Sequence, residues 1–486
     1  MNNSFIEHIV SYFNSFDKKI ILLENPDKFL LREDIIKIFE DNNISIVNGT
    51  GIEQRIKFEM KSSDATLIFT TEDNDNYLED IKLNSVKTTF HLSNFIKGYH
   101  CSSFINAELD YLDILFKNPS VKSLSKAETD NYINNLFPKE EPVFNNVVFV
   151  SKINELLESK IVDWLEIINE YSNALLLTIN TKYLEEIIAI GDIINIHFQK
   201  ELEQNFKHLF SSSAIKKPKI VSKILDYITH NNKSNKIALI VIDGMGFWQY
   251  NSIKSFYPSS FNTIEDFTFS WLPSITQLSR QAIFRGDYPD KQYIQNPKNE
   301  EKLWTNYWIN KGLDKFEIRY NHDKIDTSNL ERITKFAIVL KDLDDKMHSS
   351  TDYTDLKGLT QNWIERSEII KKIEWLIVSG FEVFITSDHG NILTNGWRGL
   401  HSREKLGTNK SGSRSQRHIE YTDRILADEF LGANPEIQQS VVREDNTIYF
   451  KNNYNFSSKD SVITHGGSHF LEVIIPFIKI TKKEYE

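Results

Sequence analysis

The chain has 486 residues, of which 40% are hydrophobic and 26% charged, as in a globular protein with two or three domains. A formal net charge of −11 disfavours non-specific coating of nucleic acid, because that mode needs many Lys and Arg residues to neutralise phosphates. The single cysteine, Cys101, excludes an internal disulfide framework and a thiolate-rich zinc site.

The apolar runs are short compared with the roughly 20 residues that a membrane-spanning helix needs. The first residues, MNNSFIEHIVSYF, lack the charged start and the long apolar stretch of a secretory signal. We therefore expect a cytoplasmic protein without a membrane partner.

Residues 1–84 are predicted to form a small α/β module. KKIILLEN is a predicted strand, and the turn at Asn25-Pro26-Asp27 leads into the predicted helix LREDIIKIFEDN, whose apolar residues recur at helical spacing. ISIV, QRIKFEM and ATLIFTT are predicted strands.

Residues 85–210 are predicted to be mainly helical. Long stripes of aliphatic and aromatic residues indicate a packed helical layer, and VVFVSK, near Val147, is either a strand or a buried helical turn. The segment SSSAIKKPK is polar, basic and interrupted by Pro218, so we predict a linker over residues 211–220.

Strands and helices are predicted to alternate over residues 221–486. Apolar runs such as IALIVIDG, FAIVLKD, VFITSD and EVIIPFIKI alternate with helical segments such as TQLSRQAIF. This alternation predicts an α/β fold in which a mixed or parallel sheet is covered by helices on both faces.

Carboxylates follow several of these predicted strands. IALIVI is followed by Asp243, VFITS is followed by Asp388 and His389, and FAIVL is followed within eight residues by Asp344 and His348. The carboxyl ends of strands in an open α/β sheet are where ligands and catalytic groups collect. With Thr276 in WLPSITQLSRQ and His465 in VITHGGSH, these residues predict a metal site with phosphoryl-transfer chemistry.

Each motif alone also has a simpler explanation. Taken alone, Asp243 is more often a helix-cap carboxylate, and Ser274 or Thr276 is at least as often a plain N-cap. DDKMH alone is most often a solvated helix start, and HGG could be a tight turn. SDHG is more specific, because a buried strand should not end in a charged pair without a partner. The joint occurrence of the motifs, each beside a strand or a helix start, favours the metal site.

The composition of the set indicates which metals it would bind. Three aspartates and three histidines suit zinc or manganese better than calcium or magnesium. Two such ions roughly 4 Å apart can clamp a phosphoryl group. Asp344 and His348, four residues apart, would lie on one face of a helix and could chelate one ion.

Thr276 is the predicted nucleophile, because Ser274 or Thr276 opens a predicted helix whose free N–H groups favour an anion. A metal-activated threonine hydroxyl would attack phosphorus and give a phosphothreonine intermediate. Arg280, one turn further along, is predicted to reach a phosphate oxygen.

The order of the motifs resembles that of the PglZ domain, which belongs to the alkaline phosphatase superfamily. The matching elements are DGM, PSxT with SRQAxFxG, Asp-x-x-x-His, SDHG, and HGG with EVIIPFI, and they cover roughly residues 221–486. The N-terminal segments around ENPDKFLLREDIIKIF also look like the region that precedes this domain in such proteins. The resemblance implies an alkaline-phosphatase-like α/β/α sandwich.

The resemblance also implies how the ligands divide between two ions. One metal would be held by Asp243, Thr276, Asp388 and His389, and the other by Asp344, His348 and His465. Proteins of this family are tied to bacterial phage-exclusion systems, BREX and phage growth limitation, in which a DNA methyltransferase and an ATPase are partners. Related PglZ domains in response regulators act as phosphodiesterases on small nucleotides.

One feature lies beyond the family pattern. Residues 398–418 carry six Lys or Arg residues but a single acidic residue, Glu404, and GTNKSGSRSQR is flexible by composition. We predict that this segment clamps a polyanionic substrate and that Arg414 and Arg417 contact its phosphates. A solvated surface loop is an equally good explanation. The remaining histidines considered as ligands are interpreted as bystanders; they are His322, His401, His418 and His469.

The predicted function is a metal-dependent phosphodiesterase or phosphatase that acts on a nucleotide or nucleic-acid phosphate in phage defence. The alternative is a scaffold subunit of the defence assembly, whose metal site is structural and whose turnover is negligible. A phosphomutase is a third and weaker hypothesis, because no residues indicate a sugar-phosphate pocket.

Overall fold

The computed structural model describes residues 3–48, 51–62, 64–70, 77, 79–136, 144–231, 235–290, 292–326, 330–409, 415–459 and 461–483. The chain divides into two compact units, Met1–Glu141 and Pro142–Glu486. Within the described ranges, no helix combines the length and the apolar character that crossing a membrane would require.

The first unit is a small α/β unit with a parallel sheet of strand order β2-β3-β1-β4. Its strands are β1 Ile20–Glu24, β2 Ile44–Val47, β3 Thr66–Thr70 and β4 Val86–Thr89. Its helices are α1 Ser4–Asn14, α2 Glu33–Asp41, α3 Gly51–Glu59, α4 Glu79–Asn84, α5 Leu109–Lys117 and α6 Lys126–Leu136.

The predicted strand QRIKFEM is wrong, because these residues lie at the end of the helix α3 and just beyond it. The alternation of polar and apolar residues in seven positions is too short to distinguish a strand from a helix. In the helix, Phe58 packs against the apolar side chains on one face of the sheet, and this tertiary contact favours the helical conformation. Helix α2 and strands β1, β2 and β3 form where the sequence predicted them.

The second unit is larger and mixes α and β structure throughout. Its strands are β5 Ile237–Ile242, β6 Phe261–Phe269, β7 Ile318–His322, β8 Lys335–Leu340, β9 Glu382–Thr386, β10 Ile392–Gly396, β11 His418–Glu420, β12 Val441–Glu444, β13 Thr447–Phe450, β14 Tyr454–Asn455, β15 Val462–Thr464 and β16 Ile474–Lys482. Its helices are α7 Asn146–Glu158, α8 Trp164–Thr178, α9 Leu184–Leu209, α10 Ile224–Asn231, α11 Phe247–Lys254, α12 Thr276–Arg285, α13 Pro297–Asn310, α14 Asp342–Ser349, α15 Tyr353–Ser367, α16 Ile369–Val378, α17 Ser402–Leu406, α18 Arg424–Ala433 and α19 Phe470–Val473.

The central sheet of this unit has the strand order β6-β16-β9-β5-β8-β7. Strand β16 is antiparallel to both of its neighbours, whereas β9, β5, β8 and β7 are parallel. The carboxyl ends of β5, β6, β8 and β9 and the start of β16 therefore meet at one edge of the sheet. Strands β5 and β8 are buried along their whole length, as expected for the centre of a sheet covered on both faces.

Helices α7 to α9 belong to the core of the second unit. Apolar residues of all three helices share one hydrophobic cluster with the central sheet, and Phe198 on α9 contacts Phe269 at the end of β6 with ring centroids 5.7 Å apart. The region predicted to be mainly helical, residues 85–210, begins with strand β4, which pairs with β1, and it extends over parts of both units. The segment 211–220 lies within the second unit, and VVFVSK is part of α7.

The described part of the second unit also contains two small three-stranded sheets. Their strand orders are β14-β10-β15 and β11-β13-β12. The second of them packs on α18 around a separate apolar cluster that includes Ile419, Phe430 and Phe450. Strand β15 leads directly into the segment that carries His465.

Candidate metal centre

The sheet edge brings together the seven residues predicted as ligands and nucleophile. Asp243 follows β5, Asp388 and His389 follow β9, and His465 follows β15. Asp344 and His348 lie one turn apart on α14, which starts two residues after β8. Thr276 is the first residue of α12.

The first group of side chains consists of Asp243, Asp388 and His389, all buried. One potential ligand atom from each residue lies within 4.8 Å of the others. His389 Nε2 is 3.6 Å from Asp243 Oδ1 and 3.9 Å from Asp388 Oδ2. The hydroxyl of Thr276 is 3.0 Å from the same His389 Nε2, so the predicted nucleophile lies at this group.

The second group consists of Asp344, His348 and His465, whose potential ligand atoms also lie within 4.8 Å of one another. Asp344 Oδ1 is 3.4 Å from His348 Nε2 and 4.0 Å from His465 Nε2. The two groups adjoin each other, because the rings of His389 and His465 stack with centroids 3.7 Å apart and an angle of 9° between their planes.

Backbone carbonyls fix the tautomers of these two histidines. His389 Nδ1 lies 2.9 Å from Gly390 O, and His465 Nδ1 lies 2.9 Å from Ser274 O. A carbonyl oxygen can only accept a hydrogen bond, so each Nδ1 carries a proton, and in the neutral ring each Nε2 keeps its lone pair. Both rings therefore present a metal-binding nitrogen to the centre.

The turn after β5 allows the two groups to approach each other. Gly244 has φ +72°, and a Cβ atom at this position would lie 3.2 Å from Asp344 Oδ1. Its N–H donates to Asp388 Oδ1 at 3.1 Å, and its carbonyl accepts from the Asn391 side chain at 2.8 Å. A glycine here both adopts the left-handed conformation and leaves room for Asp344.

Burial and mutual repulsion perturb the acids of the centre. Desolvation raises the pKa of Asp243 well above its ordinary value, and the neighbouring charges of Asp388 and Asp344 raise it further. Desolvation likewise raises the pKa of Asp388. For Asp344, burial acts in the same direction, but the neighbouring histidines outweigh it and lower the pKa. Desolvation lowers the pKa of His465 and favours its neutral form.

The centre fits divalent cations. Three buried carboxylate oxygens, Asp243 Oδ1, Asp344 Oδ1 and Asp388 Oδ2, and one imidazole nitrogen, His348 Nε2, have no hydrogen-bond partner. Buried polar atoms are normally paired, so a cluster of unpaired acceptors indicates a missing positive ligand. Oxygen and imidazole donors without thiolate are ligands that zinc and manganese both accept, and the choice between these metals stays a prediction.

The structure corrects the prediction for Arg280. Its side chain is 3% exposed, and Nη1 donates to Asp243 Oδ2 at 2.6 Å. Nε and Nη2 donate to the two carboxylate oxygens of Glu300 at 2.6 and 3.0 Å. The guanidinium is thus held between two buried acids behind Asp243, and it positions that carboxylate instead of reaching for a phosphate.

The prediction for Arg417 is corrected in the same way. Its side chain is fully buried, pairs with Glu472 and donates to backbone carbonyls of residues 450, 452 and 454. Nearly all of its N–H groups are therefore already bound. Arg414, the other predicted phosphate contact, lies outside the described residues.

Glu472 was not predicted from the sequence. It is buried in α19 and accepts hydrogen bonds from Ser274, Gly467 and Arg417. An acid at the start of the apolar run EVIIPFI is a signal of the same kind as SDHG, because a charge there needs a partner. Of the histidines interpreted as bystanders, His469 caps α19 through a bond from Leu471 N to its Nδ1 at 3.3 Å.

Two kinds of comparison relate this fold and centre to known proteins. The BREX system PglZ alkaline phosphatase-like domain matches residues 222–480, more than half of the chain, and the chain belongs to this family. The predicted resemblance and the predicted alkaline-phosphatase-like α/β/α fold are thereby confirmed. No curated protein sequence matches the chain.

The solved structures that match this chain share little sequence with it. Murine ectonucleotide pyrophosphatase/phosphodiesterase 5 is 10% identical with a TM-score of 0.35, and the match covers 52% of this chain and 89% of that chain. Phosphonoacetate hydrolase from Sinorhizobium meliloti, in complex with phosphonoformate, is 12% identical with a TM-score of 0.33, and the match covers 50% and 89%.

Proposed function

We propose that this protein is a metal-dependent phosphoesterase that acts on a nucleotide or nucleic-acid phosphate through Thr276. The observation that carries the proposal is the pair of acid–histidine groups with unpaired inward-facing atoms, beside which the Thr276 hydroxyl lies 3.0 Å from His389 Nε2. Membership of an alkaline phosphatase-like family supports this reading of the centre.

In the proposed site, Asp243, Asp388, His389 and Thr276 would hold one cation, and Asp344, His348 and His465 the other. Two divalent cations would neutralise phosphoryl oxygens and lower the pKa of the bound hydroxyl. Zinc is the expected ion and manganese the alternative.

The residues of the chain supply the nucleophile and its surroundings. Thr276 begins a helix of ten residues, so first-turn N–H groups and the positive end of the helix dipole face an incoming phosphate. Thr276 Oγ1 would form a bond to phosphorus as the bond from phosphorus to the ester oxygen breaks, and the released alkoxide takes up a proton. Water would then hydrolyse the phosphothreonine and restore the hydroxyl.

Substitution of Thr276 by alanine tests the proposal, because it removes the hydroxyl and leaves every carboxylate and imidazole in place. We expect about two zinc or manganese ions per chain in both proteins, and turnover of bis-p-nitrophenyl phosphate or p-nitrophenyl phosphate only in the wild type. The preferred ester distinguishes a diesterase from a monoesterase.

A matched control is Thr481→Ala, which removes a threonine hydroxyl from the end of β16 remote from the centre. It should retain metal and turnover. Metal without turnover in the wild type would favour the scaffold hypothesis, and wild-type protein without metal would overturn the site.

We further propose a role in a BREX-type phage-defence system, alongside a methyltransferase and an ATPase. The description of the matching family as a BREX system domain supports this context. Cells that carry the complete system should lose protection against phage in a plating assay when Thr276→Ala replaces the wild type. Full protection would assign the chain a non-catalytic role in that system.

A further inference from the structure

The buried carboxylate of Glu472 joins two segments of the centre that are distant in sequence. It accepts hydrogen bonds from Ser274 Oγ at 3.2 Å, from Gly467 N at 2.8 Å and from His469 N at 3.2 Å. Ser274 lies two residues before Thr276, and Gly467 lies two residues after His465. Glu472 therefore contacts both the nucleophile segment and the His465 segment.

Ser274 also forms hydrogen bonds with the segment that carries His465. Its Oγ accepts from Gly466 N at 3.0 Å, its N–H donates to Gly467 O at 3.2 Å, and its carbonyl accepts from His465 Nδ1 at 2.9 Å. The orientation of the His465 ring therefore depends on where Ser274 lies. Because Glu472 binds both Ser274 and Gly467, its carboxylate fixes their relative position.

Arg417 balances the charge of Glu472. Its Nε lies 3.0 and 3.1 Å from the two carboxylate oxygens, and both side chains are fully buried. A buried carboxylate without such a partner would be strongly destabilising. The ion pair thus permits an ionised, strongly accepting carboxylate in the interior.

The side chain and the backbone of Glu472 serve different groups. The Glu472 carbonyl accepts from Gly390 N at 2.9 Å, next to His389. The carboxylate contacts Gly467 in the segment of His465, and it contacts Ser274, whose carbonyl orients the His465 ring and which lies two residues before Thr276. A change confined to the side chain should therefore perturb the second group more than the first.

We propose that Glu472, held by Arg417, is a positioning residue that sets the affinity of the Asp344–His348–His465 group for its cation. The inference rests on the proposed function, because it requires that this group binds a metal. Residues that orient a ligating histidine typically change metal affinity by about 10–100-fold when they are replaced.

The test is a zinc titration of the metal-free protein of 486 residues, in which binding is measured by calorimetry and by competition with a chromophoric chelator. His348→Ala identifies which binding step belongs to the second group, because it removes a ligand of that group alone. In Glu472→Gln, we expect this step to weaken about 10–100-fold and the other step to weaken less.

Glu472→Gln leaves the charge of Arg417 unpaired and could therefore prevent folding. A second variant keeps the test decisive in that case. Ser274→Ala leaves the ion pair intact and removes only the Oγ link between Glu472 and Gly466 N. It should weaken the same step, by less than Glu472→Gln.

The matched control is Glu382→Gln, which alters another buried glutamate in an ion pair, with Lys479 at 2.9 Å. Glu382 begins β9 at the end of the sheet remote from the centre, so both zinc affinities should be unchanged. Unchanged affinities in both Glu472→Gln and Ser274→Ala, or equal weakening of both steps, would overturn the inference. A wild-type protein that binds no zinc would instead contradict the proposed function.

Discussion

At the scale of single residues, the centre consists of side chains held by their neighbours before any metal binds. Backbone carbonyls accept hydrogen bonds from Nδ1 of His389 and His465, and Arg280 donates to Asp243 Oδ2. Asp388 Oδ1 accepts the N–H groups of Gly244 and His389, which leaves Oδ2 unpaired. Asp243, Asp388, His389 and His465 thus each have one atom bound to the protein and another that faces the centre.

Gly244→Ala is predicted to impair the centre in two ways. An alanine at φ +72° costs about 1–2 kcal/mol of stability, and its Cβ would press on Asp344 Oδ1 at 3.2 Å. We therefore expect a lower free energy of unfolding and a weaker affinity for zinc, measured by denaturant unfolding and by zinc titration.

Gly312→Ala is the control for this variant. Gly312 has φ +90°, but a Cβ atom there would meet nothing within 4 Å. It should lower stability without changing zinc affinity. If Gly244→Ala binds zinc as the wild type does, Asp344 is not constrained by this turn.

At the scale of elements, the sequence predicted the part of the centre that depends on local patterns. Apolar β-branched runs followed by carboxylates indicated strands whose ends meet at one sheet edge, and the structure brings Asp243 and Asp388 together there. The roles of Arg280 and Arg417 were mispredicted, because pairing with Glu300 and Glu472 depends on contacts between distant segments. No local pattern in the sequence reveals such contacts.

Helix α9 is an element whose contribution to the centre was not predicted. Gln199 Nε2 donates to Ser468 O at 2.7 Å, and Ser468 Oγ donates to Gln199 Oε1 at 3.0 Å. Asn195 Oδ1 accepts from Phe470 N at 3.2 Å. This helix lies before the residues that match the family, yet it holds the segment between His465 and Glu472.

Gln199→Ala is predicted to destabilise the second unit by about 1–3 kcal/mol, because it leaves polar groups of Ser468 buried without partners. Thermal unfolding of the zinc-loaded and the metal-free protein would measure this loss.

Lys200→Ala changes the next residue of the same helix, which is exposed, and should leave the unfolding midpoint unchanged. Equal stability of the two variants would show that α9 does not support the segment that follows His465.

At the scale of the whole molecule, the division into units decides which part of the chain is sufficient for metal binding. The second unit includes α7, α8 and α9, whose apolar residues share one core with the central sheet. Removal of these helices would expose that core, because Phe198 and Trp164 pack on each other and Phe198 packs on Phe269.

A chain of residues 142–486 is therefore predicted to fold and to bind two ions, whereas one of residues 221–486 should aggregate or lose cooperative unfolding. Circular dichroism, thermal unfolding and metal analysis of the two chains would test this. Full stability and full metal content in the shorter chain would contradict the assignment of α7 to α9 to the core.

The stacking of His389 on His465 has a consequence for folding. These residues are 76 positions apart in the sequence, and their rings meet only when β9 and β15 have both taken their places. Closing loops of this length is slow compared with local helix formation. Only molecules that have completed folding would then bind two ions. The metal content of a preparation would therefore measure the fraction of its molecules that is native.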